Sequence, residues 1–389
     1  TFVALLATAI SLFLLLERTV NAPIQRLSRA AREIGKGNLE PAVPPGGARE
    51  IAELTRSFQA MGRDLRDSDE RIRFLAFHDP ITGLPNRKLF IEHLHKALER
   101  ANLRGTTMAV LLLNLDDFRR VNESQGRAAG DALLKEMAGR LSRNLRSEGF
   151  SAAAGPGRAN DLVAHMGGDE FAVLLTDVGS ALDAGIFARR LLEDLARPCV
   201  LADTQVRVSA SLAITIFLDD GQDAATLLRH AHIAMYRAKD RGKNNFQYYS
   251  EPLNAMVAAH FEMERRLRDA LAQERLRLFF QPVVDREDRR VLALEALLHW
   301  DDPELQAIPP RKLVEIAEKS DLIDSLGAWV LEHACRWGKS WQDRGLPAVS
   351  LCVKIFESQV NRGDLSTSIR ESLELTNLPA HLLNLQIAE

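Results

Sequence analysis

The run Gly167-Gly168-Asp169-Glu170-Phe171 places two glycines and two carboxylates between apolar stretches at 161–166 and 172–176. That pattern predicts two strands joined by a tight turn. The glycines open backbone conformations closed to other residues and let a ligand approach the main chain. Carboxylates at a hairpin tip repel one another unless something cationic binds them. Mg²⁺ carrying a nucleoside triphosphate suits the arrangement. A solvated turn accounts equally well for these residues taken alone.

The elements around this run must hold it in place. From about 77 to 249 the apolar patterning predicts strands at 108–115, 161–166, 171–176, 206–216 and 246–249. Helices are expected at 87–103, 130–146, 181–195 and 224–240. Together they predict an α/β sandwich on a central sheet. At 389 residues the chain has room for two or three domains. A net charge of -3 gives no whole-chain argument for nucleic-acid binding, and none is expected. Cys199, Cys335 and Cys352 are odd in number and far apart, which suggests neither a disulfide framework nor a zinc site and fits a reducing compartment.

The chain opens at Thr1 inside an apolar run, 2–16, that ends at Glu17 and Arg18 and is followed by Arg26, Arg29 and Arg32. The run is shorter than the roughly 20 residues of a spanning helix. It is expected to be the cytoplasmic end of a transmembrane helix, basic on its inner side. A buried core helix or a signal-peptide remnant is the alternative. Pro23 then allows a helix to restart, with Ile24, Leu27 and Ile34 on one stripe. After a Pro- and Gly-rich break at 35–47 come Ile51, Leu54, Phe58, Met61, Leu65, Ile72 and Leu75 in steps of three and four, with Ser68 in one seam position. That is a coiled-coil seam and predicts a dimer. Helix, connector and helix after a membrane segment resemble a HAMP domain, a parallel four-helix bundle in a homodimer. A plain coiled-coil linker is the alternative.

Several motifs in order make the next segment resemble a GGDEF domain, the diguanylate cyclase family. His78-Asp79-Pro80-Ile81-Thr82-Gly83-Leu84-Pro85-Asn86-Arg87 is the opening motif. Asp116-Asp117-Phe118, Asn122 and Gly130-Asp131 match the nucleotide pocket, and 167–171 is the signature. Residues 234–239 with Gly242, Lys243 and Asn244 close the pattern. The resemblance implies condensation of two GTP into cyclic di-GMP by two facing monomers, with Mg²⁺ on the triphosphate. It implies that Asn122 and Asp131 read guanine, that Gly167 and Gly168 lie against phosphate, and that Lys239 and Lys243 neutralise it. For the two lysines, a solvated and dipole-favoured helix end is the alternative. Asp169 is implied near the attacking hydroxyl. Glu170, Asn114 and the Leu115 carbonyl are implied as metal ligands. Five residues separate Arg158-Ala159-Asn160-Asp161 from Gly167, the spacing of the family's inhibitory product site, so Arg158 and Asp161 are candidates to bind cyclic di-GMP.

Some positions depart from the family. Asn114 stands where an aspartate ligand is usual, eight residues before Asn122, and keeps an oxygen without the charge on which Mg²⁺ binding depends. His165 replaces an arginine, Arg127 a histidine and His232 a common aspartate. Weakened metal binding and reduced turnover are expected.

From about Phe261 onward the chain resembles the first half of an EAL domain, the cyclic di-GMP phosphodiesterase family. Gln281-Pro282 and Glu295-Ala296-Leu297 match, and repeated strand–helix units predict a parallel barrel. Glu295 fits the first metal ligand, but Lys354 stands for an asparagine ligand, Gln386 for a carboxylate and His299 for an arginine. Strand parity puts Lys354 on one face with Ser350 and Cys352. If that face points to the site, its ammonium would pair with Glu295 and repel Mg²⁺; outward snorkelling is the alternative. This half is expected to be inactive.

The expected architecture is therefore multidomain. It comprises a transmembrane helix end (1–16), a HAMP-like helical linker (17–69), an α/β GGDEF domain of nucleotidyl-cyclase type (70–250) and a partial (β/α) TIM-barrel EAL domain (251–389). The function favoured is an inner-membrane cyclic di-GMP signalling protein, its enzyme domains cytoplasmic. It would be a homodimer that senses GTP or cyclic di-GMP with impaired sites. A weakly active, product-inhibited diguanylate cyclase and a non-catalytic membrane scaffold are the alternatives.

Overall fold

The computed structural model describes residues 17, 21–35, 49–146, 160–201, 204–302, 306–320, 322–356, 359–360 and 365–388. The chain divides into two compact units, Thr1–Ser250 and Glu251–Glu389. Among the described residues no helix is long and apolar enough to cross a membrane. The apolar run at 2–16 and most of the connector at 35–47 lie outside the described residues.

The first unit begins with α1 (Ala22–Gly35) and α2 (Arg49–Phe77). Leu27 and Ala30 of α1 are buried against Ile51 and Phe58 of α2. Leu54, Met61, Leu65, Ile72 and Leu75, the rest of the expected seam, are 44% to 63% exposed in the single chain. α2 runs unbroken to the opening motif, where the Asn86 side chain accepts from Leu89 N and starts α3 (Arg87–Arg104). Gly105, at φ 65°, ends α3 in the left-handed conformation that suits glycine.

The elements that follow are β1 (Thr107–Leu115), α4 (Phe118–Gln125), α5 (Arg127–Arg146), β2 (Leu162–Gly167), β3 (Glu170–Val178) and α6 (Ala181–Leu195). They continue with β4 (Cys199–Leu201), β5 (Thr204–Val206), β6 (Ala210–Ile216), α7 (Ala224–Asp240) and β7 (Phe246–Tyr248). The sheet order is β2-β3-β1-β6-β7, with β7 parallel to β6 and the other neighbours antiparallel. β1 is apolar almost throughout because both its faces are covered. Met108, Val110 and Leu112 pack with Phe90, Leu94 and Ala97 of α3 and with Leu227, Ala231 and Ala234 of α7. Leu111 and Leu113 point the other way by strand parity and are equally buried.

Two expectations need correction. The span 206–216 is not one strand: β5 ends at Val206 and β6 starts at Ala210. Ser209 between them turns its carbonyl to Asp116 N and its hydroxyl to Asp116 Oδ2. α4 was not expected. Only Phe118 and Val121 are apolar in it, too few for a periodic signal.

The second unit holds α8 (Glu251–Ala272), β8 (Arg277–Val284), β9 (Val291–Asp302), β10 (Gln306–Ile308), α9 (Pro310–Lys319), α10 (Ile323–Asp343), β11 (Ser350–Phe356), α11 (Leu365–Thr376) and β12 (Leu383–Ala388). β9, β11 and β12 are parallel neighbours, as expected from strand–helix repeats. β8 is not: it runs antiparallel to β9. The segment 285–290 between them is too short for a crossover, which takes a dozen or more residues.

Candidate functional site

β2 and β3 form the predicted hairpin, with Gly167 paired to Glu170 across a turn made by Gly168 and Asp169. Gly167 has φ 113° and Gly168 φ 63°, and a Cβ on either would meet nothing within 4 Å. Glycine is required there by the backbone, and the space in front of the turn is open. Leu115 N donates to the Asp169 carbonyl at 3.0 Å, tying the end of β1 to the turn.

Glu170 lies directly opposite Asn114 on β1, so both side chains share one face of the sheet. Asn114 is 9% exposed, and among the described residues its amide makes no hydrogen bond. From α7, His232 brings Nε2 to 3.3 Å from Glu170 Oε1. The other ring nitrogen, Nδ1, is 2.7 Å from the Leu228 carbonyl. Beside Asp169 of the turn, Glu170 thus has one neutral amide and one imidazole as neighbours.

Around this tip, Asp116 is buried and saturated: it accepts from the hydroxyls of Ser209 and Ser211, both at 2.7 Å, and from Asn244 N. Asp117 turns outward at φ 55° and holds Lys243 Nζ at 2.7 Å. That hydrogen bond raises the lysine pKa and lowers that of the aspartate. Lys243, expected on phosphate, is therefore paired within the protein. Lys239 is exposed. Asn122, on the last turn of α4, lies against Gly130: a Cβ there would sit 2.0 Å from Asn122 Oδ1. Asp131 follows, exposed, in the first turns of α5. Gly126, at φ 84°, donates its N–H to the Asn122 carbonyl and sets the corner between the two helices.

The opening motif is clamped to this hairpin. Asp79 Oδ1 accepts from Ile81 N, Thr82 N and the Thr82 hydroxyl. His165 N donates to the Pro85 carbonyl. The His165 ring is 4% exposed, with Nε2 3.1 Å from the Gly168 carbonyl. Its Nδ1 is 3.1 Å from Asp79 Oδ1 without a well-directed hydrogen bond, so that contact is an electrostatic one. Burial opposes ionisation of Asp79, but the Thr82 and His165 contacts outweigh it and hold the carboxyl below its usual range. Asp161, expected at a product site, accepts at Oδ1 from Thr176 N at 2.7 Å and from the Thr176 hydroxyl at 2.8 Å. Arg158 lies outside the described residues.

In the second unit, Cys352 is level with Glu295 and Lys354 with Gln386, so these residues lie in rows across β9, β11 and β12. Lys354 Nζ is 2.6 Å from Glu295 Oε1. Oε1 receives no well-directed hydrogen bond, so the contact is a charge pair. The pairing inferred from strand parity is present; snorkelling is not what this side chain does. Phe279 packs edge-on against His299.

Three family models match the chain: the HAMP domain over residues 15–67, the diguanylate cyclase GGDEF domain over 76–245 and the EAL domain over 264–389. The chain is a HAMP–GGDEF–EAL protein. It is 35% identical over 339 residues to the bifunctional diguanylate cyclase/cyclic di-GMP phosphodiesterase MucR of Pseudomonas aeruginosa, covering 87% of this chain and 47% of MucR. To the cyclic di-GMP phosphodiesterase NbdA of the same organism it is 33% identical over 341 residues, covering 88% of this chain and 42% of NbdA. The chain thus spans about half the length of the curated relatives it matches. Among solved structures it is similar to the GGDEF domain of YfiN (TpbB) from Pseudomonas aeruginosa, at 35% identity and TM-score 0.39, covering 43% of this chain and 97% of that one.

Within the GGDEF domain the fold brings Asn114, Leu115, Asp169, Glu170, Lys243 and the Gly167-Gly168 turn to one end of the sheet. His232 belongs to the same cluster. Sequence reasoning marked its identity as unusual but not its place. The spacing of α7 residues carries no link to the hairpin, so only the register of the packed helix reveals the contact. Within the EAL domain, Lys354 pairs with Glu295 on one side and is level with Gln386 on the other.

Proposed function

We propose that this chain is a membrane-anchored, dimeric cyclic di-GMP signalling protein that binds guanine nucleotide or product with impaired catalytic sites. One observation carries this proposal: in both domains the metal-type carboxylate faces neutral or basic side chains instead of other carboxylates. Glu170 has Asn114 and His232, and Glu295 has Lys354, which is itself level with Gln386 on the next strand. Mg²⁺ seeks hard oxygen ligands and, in nucleotide sites, one or two carboxylates. The donor sets here do not fit it well. A lysine ammonium already supplies the positive charge at Glu295, so no hydrolytic step is assigned to the EAL domain.

The nucleotide side of the GGDEF site is better preserved. Asn122 and Asp131 flank the glycine corner that sets them, and the open Gly167-Gly168 turn leaves backbone free to meet phosphate. Lys239 stands exposed, and Lys243 would have to leave Asp117 to reach a phosphate. These features support binding and orientation of a guanine nucleotide. The exposed apolar stripe on α2 supports pairing with a second copy through the HAMP and helical linker. The arc of parallel strands β9, β11 and β12 supports the start of a TIM barrel.

A second reading, a weakly active diguanylate cyclase, is favoured by the complete hairpin with Asp169 and Glu170 in place. Calorimetric titration of the full chain with GTP and with cyclic di-GMP tests the proposal. Binding of either in the micromolar range is expected. Failure of both, in a folded protein, would leave a scaffold and overturn it.

A further inference from the structure

β9 and β11 pair only from Ser350–Ala293 to Cys352–Glu295. Beyond that rung they no longer pair, and a cavity of about 120 Å³ lies between their ends and the helices that cover them. Ala296 and Leu298 of β9, Val314 of α9, Leu326 and Val330 of α10 and Phe356 of β11 give it an apolar wall. Close packing normally leaves few voids larger than a water molecule. Apolar cavities of about 150 Å³ take up benzene-sized molecules. Glu295 and Gln386 do not line this cavity, so it is separate from the metal-type positions of the domain.

Two polar side chains line it, Lys354 and Gln359, both toward the end of β11. Gln359 is 4% exposed, and its Oε1 accepts from Phe356 N at 3.0 Å. A backbone N–H can only donate, so the amide oxygen is committed and the NH₂ group turns the other way. There it lies against Gly327, where a Cβ would sit 1.7 Å from Nε2. Among the described residues Nε2 has no hydrogen-bond partner. A buried amide left without an acceptor is costly. The Lys354 ammonium pairs with Glu295 and has further donors beyond that pair. Both polar groups therefore offer hydrogen, and neither offers a free acceptor. An apolar wall with donors alone at one end suits a small molecule with a hydrocarbon body and an acidic head.

We propose that this cavity binds a small apolar carboxylate, its hydrocarbon body against α9 and α10 and its carboxylate on Gln359 and Lys354. The carboxylate would share Lys354 with Glu295. The site goes beyond the nucleotide reading and does not depend on it.

Benzoate titrated calorimetrically into the full chain tests this, with acetate (head without body) and toluene (body without head) as comparisons. Benzoate should bind with a Kd of about 1 mM or tighter, and at least about tenfold more tightly than acetate or toluene. Gln359→Leu removes the amide donor and Lys354→Met the ammonium. Each should weaken benzoate at least about tenfold, the loss of one hydrogen bond to a charged group. Ala296→Leu fills the cavity and should abolish binding. Thermal melts check that the variants fold. Lys354 is half exposed, so Lys354→Met remains informative should either buried change unfold the domain. No benzoate binding above that of acetate would overturn the inference, as would equal benzoate affinity in wild type and Lys354→Met. Toluene bound as tightly as benzoate would also overturn it, leaving an apolar void in which the two donors have no part. No nucleotide enters the measurement, so its outcome is separate from that of the GTP titration.

Discussion

Gly130→Ala separates nucleotide recognition from folding. The added Cβ would lie 2.0 Å from Asn122 Oδ1, 2.9 Å from its Cγ and 3.3 Å from Phe118 Cζ. Contact distance for such atoms is about 3.5 Å, so the Asn122 amide must swing away by more than about 1 Å. The backbone does not object: Gly130 sits in the first turns of α5, outside the left-handed region, and Ala is better than Gly in a helix by about 0.5–1 kcal/mol. The displaced amide is the end of a flexible side chain, so net stability should change by no more than about 1 kcal/mol, read as a thermal midpoint shift of a few degrees. A guanine held by Asn122 would lose its partner at about 1–3 kcal/mol, a roughly fivefold to hundredfold fall in affinity. GTP titration by calorimetry beside a thermal melt gives both numbers. A variant that keeps its melt and its GTP affinity would refute the role given to Asn122 and Gly130.

At Lys354 the ion pair is half exposed on the lysine side, so Lys354→Met should shift stability by less than about 1 kcal/mol, checked by urea unfolding. Its larger effect should be on metal: Lys354→Asn with Gln386→Glu should bind Mn²⁺ in an EPR titration where the wild type binds none at that face. Asp79 has a lowered carboxyl pKa, so its contribution is fully present above the ordinary carboxylate pKa and disappears as pH falls through the folded value. The stability gap between wild type and Asp79→Asn should therefore be constant from about pH 7 to pH 5 and close below about pH 4. An unchanged gap at pH 3 would mean that the Thr82 and His165 contacts do not act through the ionised carboxylate.

The sheet and its hairpin were legible because their signals are local. β1 is an apolar run covered on both faces, and the glycines of the turn sit at the positive φ values that the hairpin needs. Lys354 beside Glu295 was legible because strand parity and register fix which side chains share a face. What stayed hidden depends on packing between distant segments. His232 meets Glu170 only through the way α7 lies on the sheet. Lys243 pairs with Asp117, and Asp161 with Thr176, contacts between separated segments that no spacing in the sequence marks. The antiparallel β8 followed from a short connection that the strand–helix pattern outweighed.

Glu170 and Glu295 each have a nitrogen-bearing neighbour, His232 on α7 and Lys354 on β11. Coulomb repulsion of Mg²⁺ is the consequence at Lys354. Cyclic di-GMP formation from GTP and Mg²⁺ by the full chain, resolved chromatographically against Asn114→Asp, tests the central claim of a nucleotide-binding but impaired site most directly. Little or no product from the wild type, and clear product from Asn114→Asp, is the predicted result. Turnover by the wild type equal to that of the variant would contradict it.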